Sequence, residues 1–319
     1  MTIGLLIAIA AGCASALMFA SISSGAIISL LLFYLAPLPL MLAAIGWGPT
    51  TAAIGGVVAS IGLGLIFSLP YVIAFLLAVA LPAWWLGRLI LLGRPTTVAA
   101  NSNDTAPADL VEWYPVGRIL VWMAGFATLT TLSALLSLGT DSETITSGLR
   151  RGLGRIMQLP SSNPASAQVL DALVTIAPAA AATIAMMTLT LNVWLAGYVA
   201  RVSGRLRRPW PLLRETAMPP MTLVALFVAL ALCFVGGLLA MVAQIAAAAM
   251  LLGYALTGFA VLHTLTLGFK SRGILLSLAY ALVLVFGWPV IGMIALGLAD
   301  AFFGIRQRHQ RGQPPTATA

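Results

Sequence analysis

Residues 26–45 read AIISLLLFYLAPLPLMLAAI, twenty residues in a row without a charged side chain. About 20 apolar residues in a helix are enough to cross the hydrocarbon core of a bilayer, which is about 30 Å thick. Lipid offers the backbone no hydrogen-bond partners, so a helix, whose backbone groups bond to one another, is the stable way to cross it. The segment therefore predicts a transmembrane helix.

Similar segments follow one another along the whole chain of 319 residues. Hydrophobic residues make up 61% of it and charged residues 8%, and the mean hydropathy is +1.05, whereas about 25% of a typical soluble domain is charged. Eight spans are predicted, near 3–22, 26–45, 49–68, 69–87, 116–138, 173–199, 219–243 and 246–269. The expected fold is all-α, a polytopic transmembrane helix bundle whose main partner is the lipid bilayer.

The last apolar stretch, 274–304, has Gly287-Trp288-Pro289 in its middle. Gly and Pro mark turns or kinks, so a C-terminal helical hairpin is expected here, with one long span as the alternative. The hairpin places nearly all of the 16 basic residues on one side of the membrane, and the positive-inside rule makes that side the cytoplasm. We therefore expect both termini in the cytoplasm and the chain in a bacterial inner membrane.

A polar stretch at 93–115 divides the chain. It is too polar to enter the membrane, so it is expected to be a cytoplasmic linker between a four-span part, 1–92, and a larger membrane part, 116–319. The formal net charge of +8 is spread over such short loops. That distribution fits membrane topology and does not favour nucleic-acid binding.

The loop after the fifth span begins with a capping-box pattern, Thr140 to Glu143. Apolar residues follow at helical spacing until Pro160, with arginines on another face. We expect an amphipathic helix at about 141–158, which either lies on the outer membrane surface or is solvated in its loop.

Small residues recur every four positions in the first span, at Ala8, Gly12, Ala16 and Ala20. Four-residue spacing places them on one face of a helix, and in lipid such faces let helix backbones approach closely. We call these four residues the small-residue ladder. It has two interpretations, docking of a partner subunit or packing within the bundle.

The second span contains Ala36-Pro37-Leu38-Pro39. Two prolines remove backbone donors and free carbonyl groups, which kinks or breaks a helix. Broken helices at membrane depth occur where protein or a water-filled cavity covers them, and transporters use them to build substrate sites.

Uncharged polar residues and histidine are sparse within the spans, and three of them are candidate ligand-binding residues: Asn192, Gln244 and His263. Ionisable and polar groups inside a membrane are often functional. For His263 the alternative is a place near the membrane interface, since Lys270 follows two turns later.

Carboxylates are absent from the predicted span cores, because Asp171 and Asp300 fall at segment ends. Ion-coupled pumps run on buried carboxylate relays, so such a pump is not expected. The sequence also shows no phosphate-binding glycine loop, no zinc motif and no nucleophile with a plausible base. We therefore expect no enzyme activity, no cofactor and no metal site.

Several short motifs resemble the YybS-like family of multi-pass bacterial membrane proteins, a family of unknown function. They are FYLAPLPL at 33–40, GWG at 46–48, LPA at 81–83, LNVWLA at 191–196, GFAVLH at 258–263 and GLADAFFGIR at 297–306. Thr257 departs from the pattern, which has Gln at that position. The resemblance covers nearly the whole chain.

The YybS-like family is distantly similar to the substrate-binding S components of energy-coupling-factor transporters and to the rod-shape protein MreD. The resemblance implies either a subunit that binds a small molecule for uptake, powered through a transmembrane coupling subunit, or a scaffold that organises envelope proteins. In S components a small-residue face on the first helix docks the coupling subunit, which the small-residue ladder resembles. The scaffold alternative would use the arginine-rich loop at 200–218 and the outer amphipathic helix.

Overall fold

The computed structural model describes residues 2–97, 109–157 and 164–311. Within these residues, seven helical segments are long and apolar enough to cross a membrane: Ile3–Ser24, Ile27–Trp47, Pro49–Ile66, Leu69–Ile90, Val116–Leu136, Ala165–Val202 and Gly237–Leu265. By length and composition, these segments indicate an integral membrane protein. The all-α class is confirmed, whereas the predicted number of spans is not.

The chain forms two compact units, which we call unit 1 and unit 2. Unit 1 comprises Met1–Pro115 and Ile184–Trp210, and unit 2 comprises Val116–Thr183 and Pro211–Ala319. The segment Ile184–Trp210 falls within the predicted C-terminal part at 116–319, but in the structure it belongs to unit 1 together with the N-terminal part.

The helices of unit 1 follow the predicted spans closely. They are α1 (Thr2–Ala20), α2 (Ile27–Tyr34), α3 (Pro37–Trp47), α4 (Pro49–Ile66), α5 (Leu69–Phe75) and α6 (Leu81–Ile90), with a π-helical turn at Leu76–Ala80 between the last two. Phe19 of α1 anchors an aromatic core, because its ring lies 5.2 Å from Phe33, 5.1 Å from Tyr71 and 5.4 Å from Phe75.

Two short strands, which the sequence did not predict, lie at the ends of the polar linker. Strand β1 (Gly93–Thr97) pairs antiparallel with β2 (Asp109–Trp113). The linker residues 98–108, and Pro160 at the predicted helix stop, lie outside the described residues.

Unit 2 begins with α7 (Val116–Leu136) and α8 (Ser142–Met157), and α9 (Pro164–Val202) contributes its first half to unit 2 and its second half to unit 1. The remaining helices are α10 (Pro220–Leu232), α11 (Gly237–Leu265), α12 (Arg272–Phe286), α13 (Val290–Phe303) and α14 (Ile305–Arg311). Helices α11 and α13 approach closely, because an added Cβ on Gly258 would collide with the carbonyl oxygen of Met293.

The predicted boundary between the spans at 219–243 and 246–269 is misplaced. Helix α10 ends at Leu232, and one 29-residue helix, α11, starts at Gly237. The backbone breaks at Gly236 and Gly237, whose φ angles are +88° and +62°, a left-handed region that glycine adopts without steric cost. Residues 244–246 contain no such breaker, so the helix continues through them.

The predicted break in the last apolar stretch is confirmed. Helix α12 ends at Phe286, α13 begins at Val290, and Gly287 between them has a φ of +70°. With 15 and 14 residues, the two helices are each about 21–23 Å long, shorter than a hydrocarbon core.

The predicted amphipathic helix is α8, but its cap is Asp141 and not Thr140. The Oδ1 atom of Asp141 accepts hydrogen bonds from the backbone N–H groups of Glu143 (3.1 Å) and Thr144 (2.9 Å). These bonds, with one from the Thr144 hydroxyl, lower the pKa of Asp141. Ile145 is fully buried against Leu135, Ala182 and Ile245, so this face of α8 packs on its own unit. A place on the outer membrane surface stays a prediction.

Candidate functional site

The small-residue ladder starts in the interior of unit 1. Ala8 is fully buried, and a Cβ added to Gly12 would collide with the carbonyl oxygen of Gly55 in α4. Ala16 and Ala20 are half-buried. Packing within the chain therefore accounts for the small side chains at Ala8 and Gly12, while docking of a partner stays a prediction.

The second span is broken at the prolines. Helix α2 ends at Tyr34 and α3 begins at Pro37. Pro37 and Pro39 lack the N–H groups that would bond to the carbonyls of Phe33 and Leu35. Those carbonyls instead accept hydrogen bonds from Ala36 (3.2 Å) and Leu38 (3.0 Å), three residues on.

This rearrangement leaves the carbonyl of Tyr34 without its helical partner. In an unbroken helix Tyr34 would accept a bond from Leu38, but the Leu38 N–H is used by Leu35. The carbonyl lies inside the span Ile27–Trp47, 21 residues long, at about 12 Å from its start along a helix of about 31 Å. A polar group at that depth needs a partner from the protein.

Asn192 of α9 supplies that partner. Its Nδ2 donates to the carbonyl oxygens of Tyr34 and of Thr188, each at 2.8 Å. The side chain is fully buried. Within the described residues, its Oδ1 atom has no hydrogen-bond partner, although an amide oxygen can accept two bonds.

The carbonyl of Tyr34, the broken turn at Leu35 and Ala36, and the amide of Asn192 form what we call the break site. It joins one predicted feature, the interrupted second span, to one predicted residue, Asn192. The structure brings them together across 158 positions of sequence. The acceptor Oδ1 has no partner in the part of the chain that the structure describes, and the helices α2 and α3 that form the break carry no charged side chain.

The other two candidate ligand residues lie in unit 2 and are far from one another. His263 and Gln244 both belong to α11, about 28 Å apart along its axis. The Nε2 atom of His263 lies 3.0 Å from the hydroxyl oxygen of Tyr280, whose ring stacks on Phe259 at 4.8 Å. Gln244 is half-buried. These two residues therefore do not form one site.

Two polar clusters in the structure were not predicted from the sequence. In unit 2, Arg306 forms an ion pair with Asp300, and both side chains are 10% exposed. In unit 1, the guanidinium of Arg205 lies over the ring of Trp47 at 4.3 Å from its centroid. Both arginines are visible in the sequence, and Asp300 lies six positions before Arg306. The other partners, the carbonyls of Arg214 and Thr216 and the ring of Trp47, are distant in the chain and gave no polar signal.

Within the described residues, no group of three or more His, Cys, Asp or Glu side chains could hold a metal ion. Comparisons with protein-family models, with curated proteins and with solved structures found no match. The fold and the break site define the chain as an α-helical integral membrane protein with a buried amide at a broken helix, and the oxygen of that amide has no partner among the described residues.

Proposed function

We propose that this protein is a membrane subunit that binds a small molecule at the break site and depends on a partner protein for energy. The observation that carries the proposal is the buried Oδ1 atom of Asn192, which has no partner among the described residues. A buried acceptor left unpaired costs about 1–3 kcal/mol. A ligand that donates one hydrogen bond to it recovers that free energy on binding.

The surroundings restrict the ligand's chemistry. Helices α2 and α3 carry no charged side chain, and a charged ligand in an apolar site needs a counter-charge. The proposed ligand is therefore neutral, with an N–H or O–H donor and an apolar body. A broken helix is also a natural hinge, because its turn lacks the continuous helical hydrogen bonds.

The placement of the carboxylates supports the proposed dependence on a partner. Asp171 pairs with Arg150 at 2.8 Å in an exposed position, and Asp300 is held by Arg306 at 2.7 Å. A proton-coupled transporter needs a carboxylate that can gain and lose a proton within the membrane. Both of these are paired with arginine, which supports a subunit that is not itself a proton-coupled pump.

The test is native mass spectrometry of the protein purified in lipid nanodiscs, followed by extraction and identification of small molecules that co-purify. We expect one neutral metabolite class in repeated preparations, and its loss in Asn192→Leu. Thr190→Val is the matched control, because the Thr190 hydroxyl bonds to Met186 O within the same helix. It removes a polar group from α9 without touching the break.

Repeated preparations of the wild-type protein without any bound metabolite, combined with no thermal stabilisation by a library of neutral donors, would overturn the proposal. Equal loss of ligand in Asn192→Leu and Thr190→Val would also count against it, since it would show a general effect on α9. The wild-type measurement keeps the proposal testable if Asn192→Leu does not fold.

A further inference from the structure

The second inference concerns the end of unit 1 where α3 and α9 terminate. We propose that this end binds the phosphate group of an anionic phospholipid. The binding residues form an arginine–tryptophan cluster, which comprises Trp47, Arg201, Arg205, Arg208 and Trp210. The inference is independent of the break site, because it uses other residues and a charged ligand.

The end of α9 positions the cluster through a glycine turn. Gly204 has a φ of +66°, the N–H of Arg205 donates to Ala200 O at 2.8 Å, and the N–H of Gly204 donates to Arg201 O at 3.0 Å. This pair of bonds is a Schellman motif, which ends a helix and reverses the chain. It fixes the backbone of Arg205 beside the last turn of α9.

Both exposed arginines of the cluster lie on tryptophan rings. The guanidinium carbon of Arg205 is 4.3 Å from the centroid of the Trp47 ring, and that of Arg201 is 5.2 Å from the Trp210 ring. Trp210 is itself held against α9 by an edge contact with Tyr198 at 6.5 Å. Stacking uses the flat face of a guanidinium and leaves the N–H groups at its edge directed outward.

Those N–H groups have no acidic partner among the described residues. The salt bridge found in unit 1 joins Arg94 to Glu112 at 2.6 Å and includes none of the cluster. Arg208 donates to the backbone oxygen of Tyr114 at 2.9 Å, and burial lowers its pKa. The cluster therefore carries positive charge with donors free for phosphate oxygens, which arginine binds in a bidentate manner.

Its place in the fold favours a lipid over a soluble phosphate. Trp47 is the last residue of the span Ile27–Trp47, and Arg201 lies in the last turn of the span Ala165–Val202. The ends of spans lie at headgroup level, where tryptophan rings are enriched. The positive-inside rule explains arginines anywhere in this loop, but it does not explain two guanidinium groups held on rings.

The experiment measures how much phosphatidylglycerol or phosphatidylcholine, with the same acyl chains, the full-length protein retains in native mass spectrometry. We expect phosphatidylglycerol to be retained over phosphatidylcholine, and Arg201→Gln and Arg205→Gln each to weaken this retention about fivefold. Trp47→Leu keeps the charge and removes the ring, so it should weaken retention as Arg205→Gln does. Arg207→Gln is the matched control, because Arg207 is exposed in the same loop and should change retention less than twofold.

Two results would overturn the inference. Equal losses in Arg207→Gln and Arg205→Gln, with no effect of Trp47→Leu, would indicate diffuse charge attraction without a site. Displacement of the lipid by inorganic phosphate would identify a soluble phosphate ligand instead. A photo-crosslinker at position 207 in native membranes should capture phospholipid, and its capture of an acidic protein segment would also contradict the proposal. Unchanged phosphatidylcholine retention and melting temperature show that each variant is folded.

Discussion

Among the described residues, the Arg306 ion pair of unit 2 and the Asn192 amide of unit 1 are both buried, and these two polar centres differ in how completely the arginine and the amide are paired. In unit 2, Arg306 donates to Asp300 Oδ2 through Nε (2.8 Å) and Nη2 (2.7 Å), and to the carbonyls of Arg214 (2.9 Å) and Thr216 (2.8 Å) through Nη1. In unit 1, Asn192 satisfies the carbonyl of Tyr34 but keeps an acceptor without a described partner.

This difference separates a structural role from a candidate binding role. The Arg306 centre ties the loop at Arg214 and Thr216 to the end of α13, and its donors are used within the chain. An outside ligand would have to displace these bonds. At the break site the Oδ1 atom of Asn192 has no partner among the described residues, and the proposed ligand would complete its pairing, because buried polar groups are normally hydrogen-bonded.

The largest expected effect is at the paired centre. Arg306→Ala leaves the Oδ2 atom of Asp300 and the carbonyls of Arg214 and Thr216 without their side-chain donor. The Oδ1 atom keeps its bond from the backbone N–H of residue 306, and breaking a buried ion pair costs about 3–5 kcal/mol. We expect the melting temperature of Arg306→Ala in nanodiscs to fall strongly. The double variant Arg306→Met with Asp300→Leu removes both charges, so its melting temperature should be higher than that of Arg306→Ala. Arg150→Ala is the control, since its pair with Asp171 is exposed and is worth about 0–1 kcal/mol. Similar losses in Arg306→Ala and Arg150→Ala would show that the centre does not stabilise unit 2.

The next largest effect is expected from overpacking between α1 and α4 in unit 1. Gly12→Ala forces α1 away from Gly55, and overpacking of this kind costs about 1–3 kcal/mol. Gly4→Ala is the control in the same helix, because a Cβ there meets no atom within 4 Å. We expect a lower melting temperature for Gly12→Ala alone. If Gly12→Ala instead leaves stability unchanged but dissociates a co-purified protein, the result would favour docking of a partner at the small-residue ladder over packing within the bundle.

The sequence predicted these two centres to different extents. The prolines at 37 and 39 indicated a kink or a break, and Asn192 in an apolar helix was predicted as a candidate ligand-binding residue. Their meeting was not predictable, because Tyr34 and Asn192 are 158 positions apart and only tertiary packing joins them. The end of α10 was misplaced because hydropathy stays high through Gly236 and Gly237, so their backbone conformation decides where the helix stops. Arg306 was seen only as part of a family-like motif, since nothing local indicates that it reaches Thr216.

Asn192→Leu sharpens the contrast between the centres directly. It removes the hydrogen bonds to Tyr34 and Thr188, which lowers the free energy of unfolding, but it also removes the unpaired buried acceptor, which raises it. The net decrease in the free energy of unfolding should be about 1–2 kcal/mol, smaller than for Arg306→Ala. The melting temperature of ligand-free protein measures it, with Thr190→Val as the matched control. A loss as large as that of Arg306→Ala would mean that Asn192 is chiefly a structural residue and would weaken the binding proposal.

The smallest effect concerns an exposed polar group, the Asp141 cap of α8. Bonds from Thr144 and Glu143 lower the pKa of this carboxyl below its ordinary value of 3.8, so the folded form prefers the carboxylate. The stabilisation of α8 is therefore fully present above about pH 3.8 and is lost as the pH falls through the lower, folded value. Amide hydrogen exchange over Ser142–Met157, corrected for its intrinsic pH dependence, should accelerate in that acid range for the wild type. Asp141→Asn should abolish this acid step while the exchange of α11 stays unchanged. An acid step that persists in Asp141→Asn would assign it to another carboxyl and remove Asp141 as the cap that holds α8.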